Sequence, residues 1–489
     1  MPCQGTPFVS LNSSDTIDDA GAAHVDDQQA AFLETVRRFM DELILVPRPQ
    51  LDTLTPLGEL VQDFLQTEVA ALPLVTEDIP SHRLVDADLA LDELATDMSA
   101  AVGVTGGQQR DHSSFPELLS SAFARFGPGP VDYISVATSP TTERRVVAFG
   151  MRMLIVDGHR VAVLQRNARP EFGRNSARLE ILAAEDAGAE SLLRALRRLM
   201  LERSVLRGQV ISFSGNDYGP GAAGVDFLPR PHVSAADVVL PDGTLSDIVR
   251  HVVGIGVHRD ALRAAGRHLK RGVLLYGPPG SGKTLTVRHL LSSTPDTTAV
   301  VLAGNSIRFV TEAAELARAM QPAIVVLEDV DLIAEDRNLS HGPQPLLFAM
   351  LDALDGLDGD ADVAFVLTTN RIEVLEHALA DRPGRIDLAV EIPLPDTAAR
   401  HHLFELYARG LPLSAHAVAD AADAADGVSG AFAKELMRRT VLLAAEQARI
   451  VTDDDLQTAL KTLLDARDRL TRQLLGSADA EPDDGAVYA

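Results

Sequence analysis

The chain has 489 residues, 46% hydrophobic and 23% charged, a globular balance with room for about three domains. Its net charge of −26 argues against a nucleic-acid groove as the main binding surface, because phosphate backbones need basic surface. A single cysteine, Cys3, excludes an intrachain disulfide framework, and no apolar run reaches the length of a membrane span, so a reducing, cytoplasmic setting is expected.

Residues 1–28 carry Ser, Asp, Gly and Gln without periodicity and read as disordered, with no basic and apolar leader pattern. From Ala30, the residues Phe32, Val36, Phe39, Met40 and Leu43 recur at helical spacing. Leu57–Ala70 and Ala87–Met98 repeat that pattern, so 29–105 reads as a mostly helical unit ending near the turn-rich Thr105–Gln109. The texture then changes. Tyr133–Thr138, Arg145–Val156, Arg160–Gln165, Leu179–Ala183 and Gln209–Phe213 are short and rich in Val, Ile and Leu, as strands are. Asp157-Gly158 between two of them predicts a hairpin turn. Ala189–Ser204 carries one stripe of Leu192, Leu193, Leu196, Leu199 and Met200 and predicts an amphipathic helix. Residues 106–235 thus read as an α+β domain without a chemical motif, for binding or oligomerisation. The glycine-rich Gly215–Gly224 and the stretch 229–241 mark its border.

The apolar run Gly272–Tyr276 reads as a buried strand, and Thr284–Leu291 as a helix. Between them stand Gly277, Pro278, Pro279, Gly280, Ser281, Gly282, Lys283 and Thr284, the pattern G-x-x-x-x-G-K-[ST]. Glycines let the main chain close around phosphates, loop amides form an anion nest, and the helix adds the positive end of its dipole. Lys283 is expected on the β- and γ-phosphates and Thr284 on Mg²⁺, so a nucleoside triphosphate is the expected ligand. Ala323–Leu327 is a second buried run, ending in Glu328-Asp329, one carboxylate for the metal and one for the attacking water. Phe365–Thr369 is a third, ending in Asn370, placed to orient water or sense the γ-phosphate. Arg382 and Arg385 then flank a Pro-Gly turn and can present guanidinium groups to a charged ligand.

This ordered set, over about residues 240–470, resembles the AAA ATPase family. Gly277–Thr284 corresponds to its Walker A motif, Ile324–Asp329 to Walker B, Asn370 to sensor 1, and Arg382 and Arg385 to its paired arginine fingers. The resemblance implies an α/β P-loop core over 240–395, a parallel sheet flanked by helices. It implies a C-terminal helical lid over 396–473 with Gly430-Ala431 near the sensor 2 position; the tail over 474–489 is acidic and low in bulky residues and reads as disordered. It also implies ATP with Mg²⁺ as the nucleotide, a homohexameric ring, arginines that complete the neighbouring subunit's site, and a protein substrate to be remodelled, unfolded or translocated. The alternative of another class is a nucleotide-dependent scaffold or switch with little hydrolysis.

The chain departs from the family in three places. Walker B usually reads Asp-Glu, and the Glu-Asp order here resembles the translocases of respiratory complex III assembly. The aromatic pore loop would fall on Phe309-Val310-Thr311-Glu312, where Phe309 either grips substrate or lies in the core at a helix start. The usual Asp-Ile-Gly before Walker A is absent, and Val253–Gly256 offers a candidate adenine wall. The last three residues, Val487-Tyr488-Ala489, resemble the docking tail of proteasome-activating ATPases, which would make a proteasome-like chamber a partner.

Overall fold

A computed structural model describes residues 34–38, 54–95, 101–107, 110–121, 125–215, 224–331, 360–373 and 386–465. The chain divides into two compact units, Met1–Thr53 with Ser121–Phe123, and Leu54–Ser120 with Ala124–Ala489. In the first, residues 34–38 are helical. Everything below concerns the second. The arginine pair 382/385, the two terminal segments expected to be disordered and the last three residues all lie outside the described residues.

The second unit opens on a five-stranded antiparallel sheet, in order β1-β7-β6-β5-β4. Its strands are β1 (Val75–Ile79), β4 (Asp132–Ala137), β5 (Glu143–Val156), β6 (His159–Arg166) and β7 (Ala177–Ala183). The short β2 (Gly103–Thr105) and β3 (Gly127–Gly129) pair apart from it. Side chains alternate across a strand, and here both faces are covered. Val161 and Val163 of β6 pack with Leu84, Leu91, Leu192 and Leu196 from the helices Leu84–Leu94 and Asp186–Glu202. Ala162 and Leu164 pack the other way, with Leu57, Val61, Phe115 and Leu118 from Pro56–Leu65 and Phe115–Leu119. β1 comes from the stretch expected to be helical, so a border at 105 does not divide the fold. Val75–Ile79 pairs with Ala177–Ile181, a partner about a hundred residues away that no local pattern announces.

The second sheet has seven strands in order β14-β10-β13-β12-β11-β8-β9. They are β8 (Val210–Ser214), β9 (Gly224–Leu228), β10 (Arg271–Tyr276), β11 (Thr298–Ala303), β12 (Ala323–Glu328), β13 (Val363–Thr369) and β14 (Leu388–Glu391). Neighbours pair in parallel except β9, which runs antiparallel to β8. The central strands are buried on both faces, which explains their unbroken apolar runs. β8, whose residues were expected as a strand of the N-terminal domain, instead extends this sheet through Ala299↔Val210 and Val300↔Ile211, with β9 paired to it as a hairpin. The α/β core therefore begins near residue 210, not 240.

Four helices complete the described chain: Thr397–Ala408, Ala415–Ala424, Gly430–Glu446 and Asp453–Leu464. Asp396, Ser414 and Ser429 cap the first three, each accepting a main-chain N–H of the first turn. Leu403, Phe404, Val418, Phe432, Leu436, Leu456 and Leu460 form their common core, with Val239 packed against it. Among the described residues no helix is long and apolar enough to cross a membrane.

Candidate nucleotide site

In a parallel sheet, ligands gather outside the carboxyl ends of the strands. β10, β12 and β13 all end there, and each delivers chemistry. β10 runs into Gly277, whose φ is +145° and whose place leaves no room for a side chain, since a Cβ would stand 2.1 Å from the Ile392 carbonyl oxygen. The loop then turns into the helix Lys283–Ser292. Lys283 is 6% exposed, and its Nζ donates to the carbonyls of Gly277 and Pro278 at 2.8 and 2.9 Å. Burial lowers the pKa of this lysine, while Asp329 and Asp331 pull it back up. Ser281 Oγ is buried without a hydrogen-bond partner.

β12 ends in Glu328. Burial, then the charge of Asp329, raises the pKa of Glu328, while a side-chain hydrogen bond with Thr284 and the nearby Arg288 lower it. The next residue, Asp329, adopts φ +52°, a left-handed conformation uncommon outside glycine and taken by aspartate more readily than by most side chains. β13 holds it there, because the Asp329 amide donates to Thr368 Oγ1 at 3.0 Å and the Val330 amide to the Thr368 carbonyl at 3.0 Å. Asn370 Nδ2 stands 3.4 Å from Asp329 Oδ1. A third carboxylate, Asp331, is 5% exposed and accepts from the Thr369 hydroxyl and the Asn370 amide.

The cleft over the loop measures about 430 Å³, the scale of a small-molecule site. Pro279 to Leu285, Arg288, Asp329 and Asn370 form its polar side. Val238, Val239 and Leu240 form an apolar wall, and the helical segment adds Leu403, Tyr407, Gly430, Ala431 and Lys434. The Ala431 amide donates to the Gly280 carbonyl at 3.2 Å, so the helix Gly430–Glu446 begins in direct contact with the phosphate loop. Lys283, Thr284, Glu328, Asp329 and Asn370, drawn from three separate sequence segments, thus converge on one end of the sheet. A loop ammonium, an orphaned buried hydroxyl and a helix start suit polyphosphate, and the Thr284–Glu328 pair offers hard oxygen donors of the kind Mg²⁺ takes.

One expectation is corrected, and one open alternative is narrowed. Val253 and Gly256 do not face this cleft but line another, with Arg259, Arg271 and Asp362. The apolar wall is Val238–Leu240, inside the stretch read as a border. Phe309 is 6% exposed and lies 5.8 Å from the Phe213 ring of β8, in the core. The hairpin β8–β9 supplies that neighbour, so Phe309 is a core residue and not a gripping one. Asp331, Tyr407, Lys434 and Arg288 were not anticipated. The apolar triplet 238–240 carried a signal in hydropathy, but Tyr407 and Lys434 reach the cleft only through tertiary folding.

Residues 273–394 match the model of the ATPase family associated with various cellular activities (AAA). The chain is similar to the proteasome-activating nucleotidase of Thermococcus onnurineus (strain NA1), 29% identical over 280 residues, or 54% of this chain and 70% of the relative. It is similar to the proteasome-activating nucleotidase of Pyrococcus furiosus, 28% identical over 301 residues, 58% of this chain and 75% of the relative. It also resembles a 26S proteasome regulatory subunit 4 homolog of Oryza sativa subsp. japonica, 29% identical over 281 residues, 54% of this chain and 62% of the relative. The chain carries an AAA ATPase domain, and its activity is ATP hydrolysis.

Proposed function

We propose that this AAA-type ATP hydrolase is a ring motor that unfolds or translocates protein substrates, working as a homohexamer. The observation that supports it most is the convergence of loop, acids and helical lid on one cleft, in a chain similar to proteasome-activating nucleotidases. In this reading the polyphosphate of ATP lies in the loop Gly277–Thr284, and the base lies between Val238–Leu240 and Tyr407. Lys283 follows the β- and γ-phosphate charge. Thr284 and Glu328 hold Mg²⁺, which when bound neutralises phosphate charge. Asp329 polarises the attacking water, with Asn370 fixing its orientation, and a bond from water oxygen to the γ-phosphorus replaces the bond to the leaving ADP oxygen.

Arg382 and Arg385 complete the neighbouring subunit's site, stabilising charge on the transferred group. The contact between Ala431 and Gly280 lets the lid feel the state of the loop, and hydrolysis drives the lid against the core. The five-stranded sandwich receives the substrate or an adaptor. Val487-Tyr488-Ala489 docks the ring on a proteasome-like chamber.

The test is the ATPase rate per subunit against protein concentration with Mg²⁺ present. Trans arginines require a steep rise as the ring assembles, lost in Arg385→Ala. A flat rate from dilute to concentrated protein overturns the ring.

A further inference from the structure

The strap 229–241 leaves the last strand of the seven-stranded sheet and becomes the apolar wall of the cleft. Arg230 stands at its start and makes four main-chain contacts. Nη1 donates to the carbonyls of Leu291 and Thr294 at 2.8 and 3.0 Å, and Nη2 to those of Gly208 and Thr297 at 3.0 and 2.7 Å. Two of these carbonyls close the C-terminal end of the phosphate-loop helix, where partial negative charge suits a cation. The others lead into β8 and β11. A planar guanidinium can satisfy all four at once, which an ammonium cannot.

Three residues later the strap is fixed again. The Val233 amide donates to Ser292 Oγ at 3.2 Å, and His289 Nδ1 donates to the Val233 carbonyl at 2.9 Å. Ser292 and His289 belong to the same helix, whose first residue is Lys283. Ser234 then opens a tight turn over 235–237, and the chain reaches Val238, which is buried.

We propose that Arg230 and His289 are positioning residues for nucleotide recognition, pinning the strap so that Val238–Leu240 stand at a fixed distance from the phosphate cradle. The helix that presents Lys283 to phosphate also carries the wall for the base, through its far end. This inference rests on the reading that the base lies against Val238–Leu240. An unpinned strap must be ordered when the nucleotide binds, and that cost falls on the ligand. It falls only on ligands that carry a base. Inorganic tripolyphosphate, which needs the cradle alone, escapes it.

The experiment is calorimetric binding of ATP and of inorganic tripolyphosphate, each with Mg²⁺, to the full chain. Arg230→Met is expected to weaken ATP by about tenfold while tripolyphosphate changes by less than about twofold. His289→Gln, which loses the donor at the Nδ1 position, should shift the same ratio in the same direction. His289→Asn, whose amide reaches that position, should restore it. Equal losses for both ligands, or no loss for either, overturn the pinning role. If Arg230→Met does not fold, the two His289 variants decide. A wild-type protein that binds ATP no more tightly than tripolyphosphate overturns the base wall itself, whereas a discriminating wild type with unchanged variants overturns only the pinning.

Discussion

Asp331 holds Asn370 by its main chain, with Oδ1 accepting the Asn370 amide at 3.2 Å. The same oxygen accepts the Thr369 hydroxyl at 3.0 Å, so one buried carboxylate fixes the end of β13 where the polar side chain of Asn370 leaves the sheet. Asp331→Ala leaves the half-buried Asn370 amide without this acceptor and the Thr369 hydroxyl with only the Arg371 carbonyl at 3.3 Å, at about 1–3 kcal/mol of stability. Asn370 then loses its orientation towards Asp329. We expect kcat to fall about tenfold with KM for ATP nearly unchanged, equivalent to about 1.4 kcal/mol of barrier. Steady-state kinetics with thermal unfolding checks this; a changed KM at constant kcat would contradict the assignment.

Asp329 takes a left-handed backbone, φ +52°, and lines the cleft beside Lys283. Strained positions persist where surrounding bonds over-determine them, and here Thr368 does so through side chain and main chain. Asp329→Asn keeps the shape and removes the charge. As the group that polarises water, it should lower kcat by about 10²–10⁴-fold with ATP binding retained. A nucleotide-dependent scaffold would lose nothing, so turnover of this variant against the parent separates the two readings.

The polar half of the site was legible because each of its three segments carries a local pattern. A strand, a loop and a helix adjoin within Gly272–Leu291, and strand ends at Glu328 and Asn370 follow from apolar runs. The apolar half was not, because Val238–Leu240 and Tyr407 are more than 160 residues apart and meet only through the lid. Strand pairing was illegible for a related reason. Hydropathy marks Gln209–Phe213 as a strand but not that it joins β11, and it leaves Val75–Ile79 inside a stretch that reads as helical, with nothing to announce its pairing with β7. Both borders were drawn by composition, which reports solvent exposure and not partners.

With Glu328 in the proposed metal role, its protonation is expected to set the acid side of activity. Burial and Asp329 raise its pKa, so as pH falls it takes up a proton earlier than an ordinary carboxylate would. The ionised form is the one that serves the metal, and activity should fall as pH drops through this raised value. Arg288 opposes the rise. Arg288→Ala removes a favourable charge from ionised Glu328, and the acid limb of kcat/KM, which reports the nucleotide-free protein, should move to higher pH. A pH–rate profile of the two proteins checks this; an unmoved limb, or one displaced to lower pH, would mean that Arg288 does not act on Glu328.

Phe309 separates a core role from a gripping role. Its ring lies 5.8 Å from Phe213 and within the cluster of Ile211, Ile307, Leu316 and Leu327. Removing a buried phenyl group leaves a cavity, and Phe309→Ala should cost about 3–5 kcal/mol of stability. Denaturant unfolding measures that loss. Because β8 supplies the opposing ring, Phe213→Ala should destabilise the same cluster, and the double variant should lose less than the sum of the two, as neighbours in one core do. A gripping residue predicts the opposite pattern: full stability for Phe309→Ala, normal ATP turnover, and no coupling to Phe213. The buried position beneath the hairpin β8–β9 favours the first outcome, and it moves the search for substrate-contacting residues away from 309.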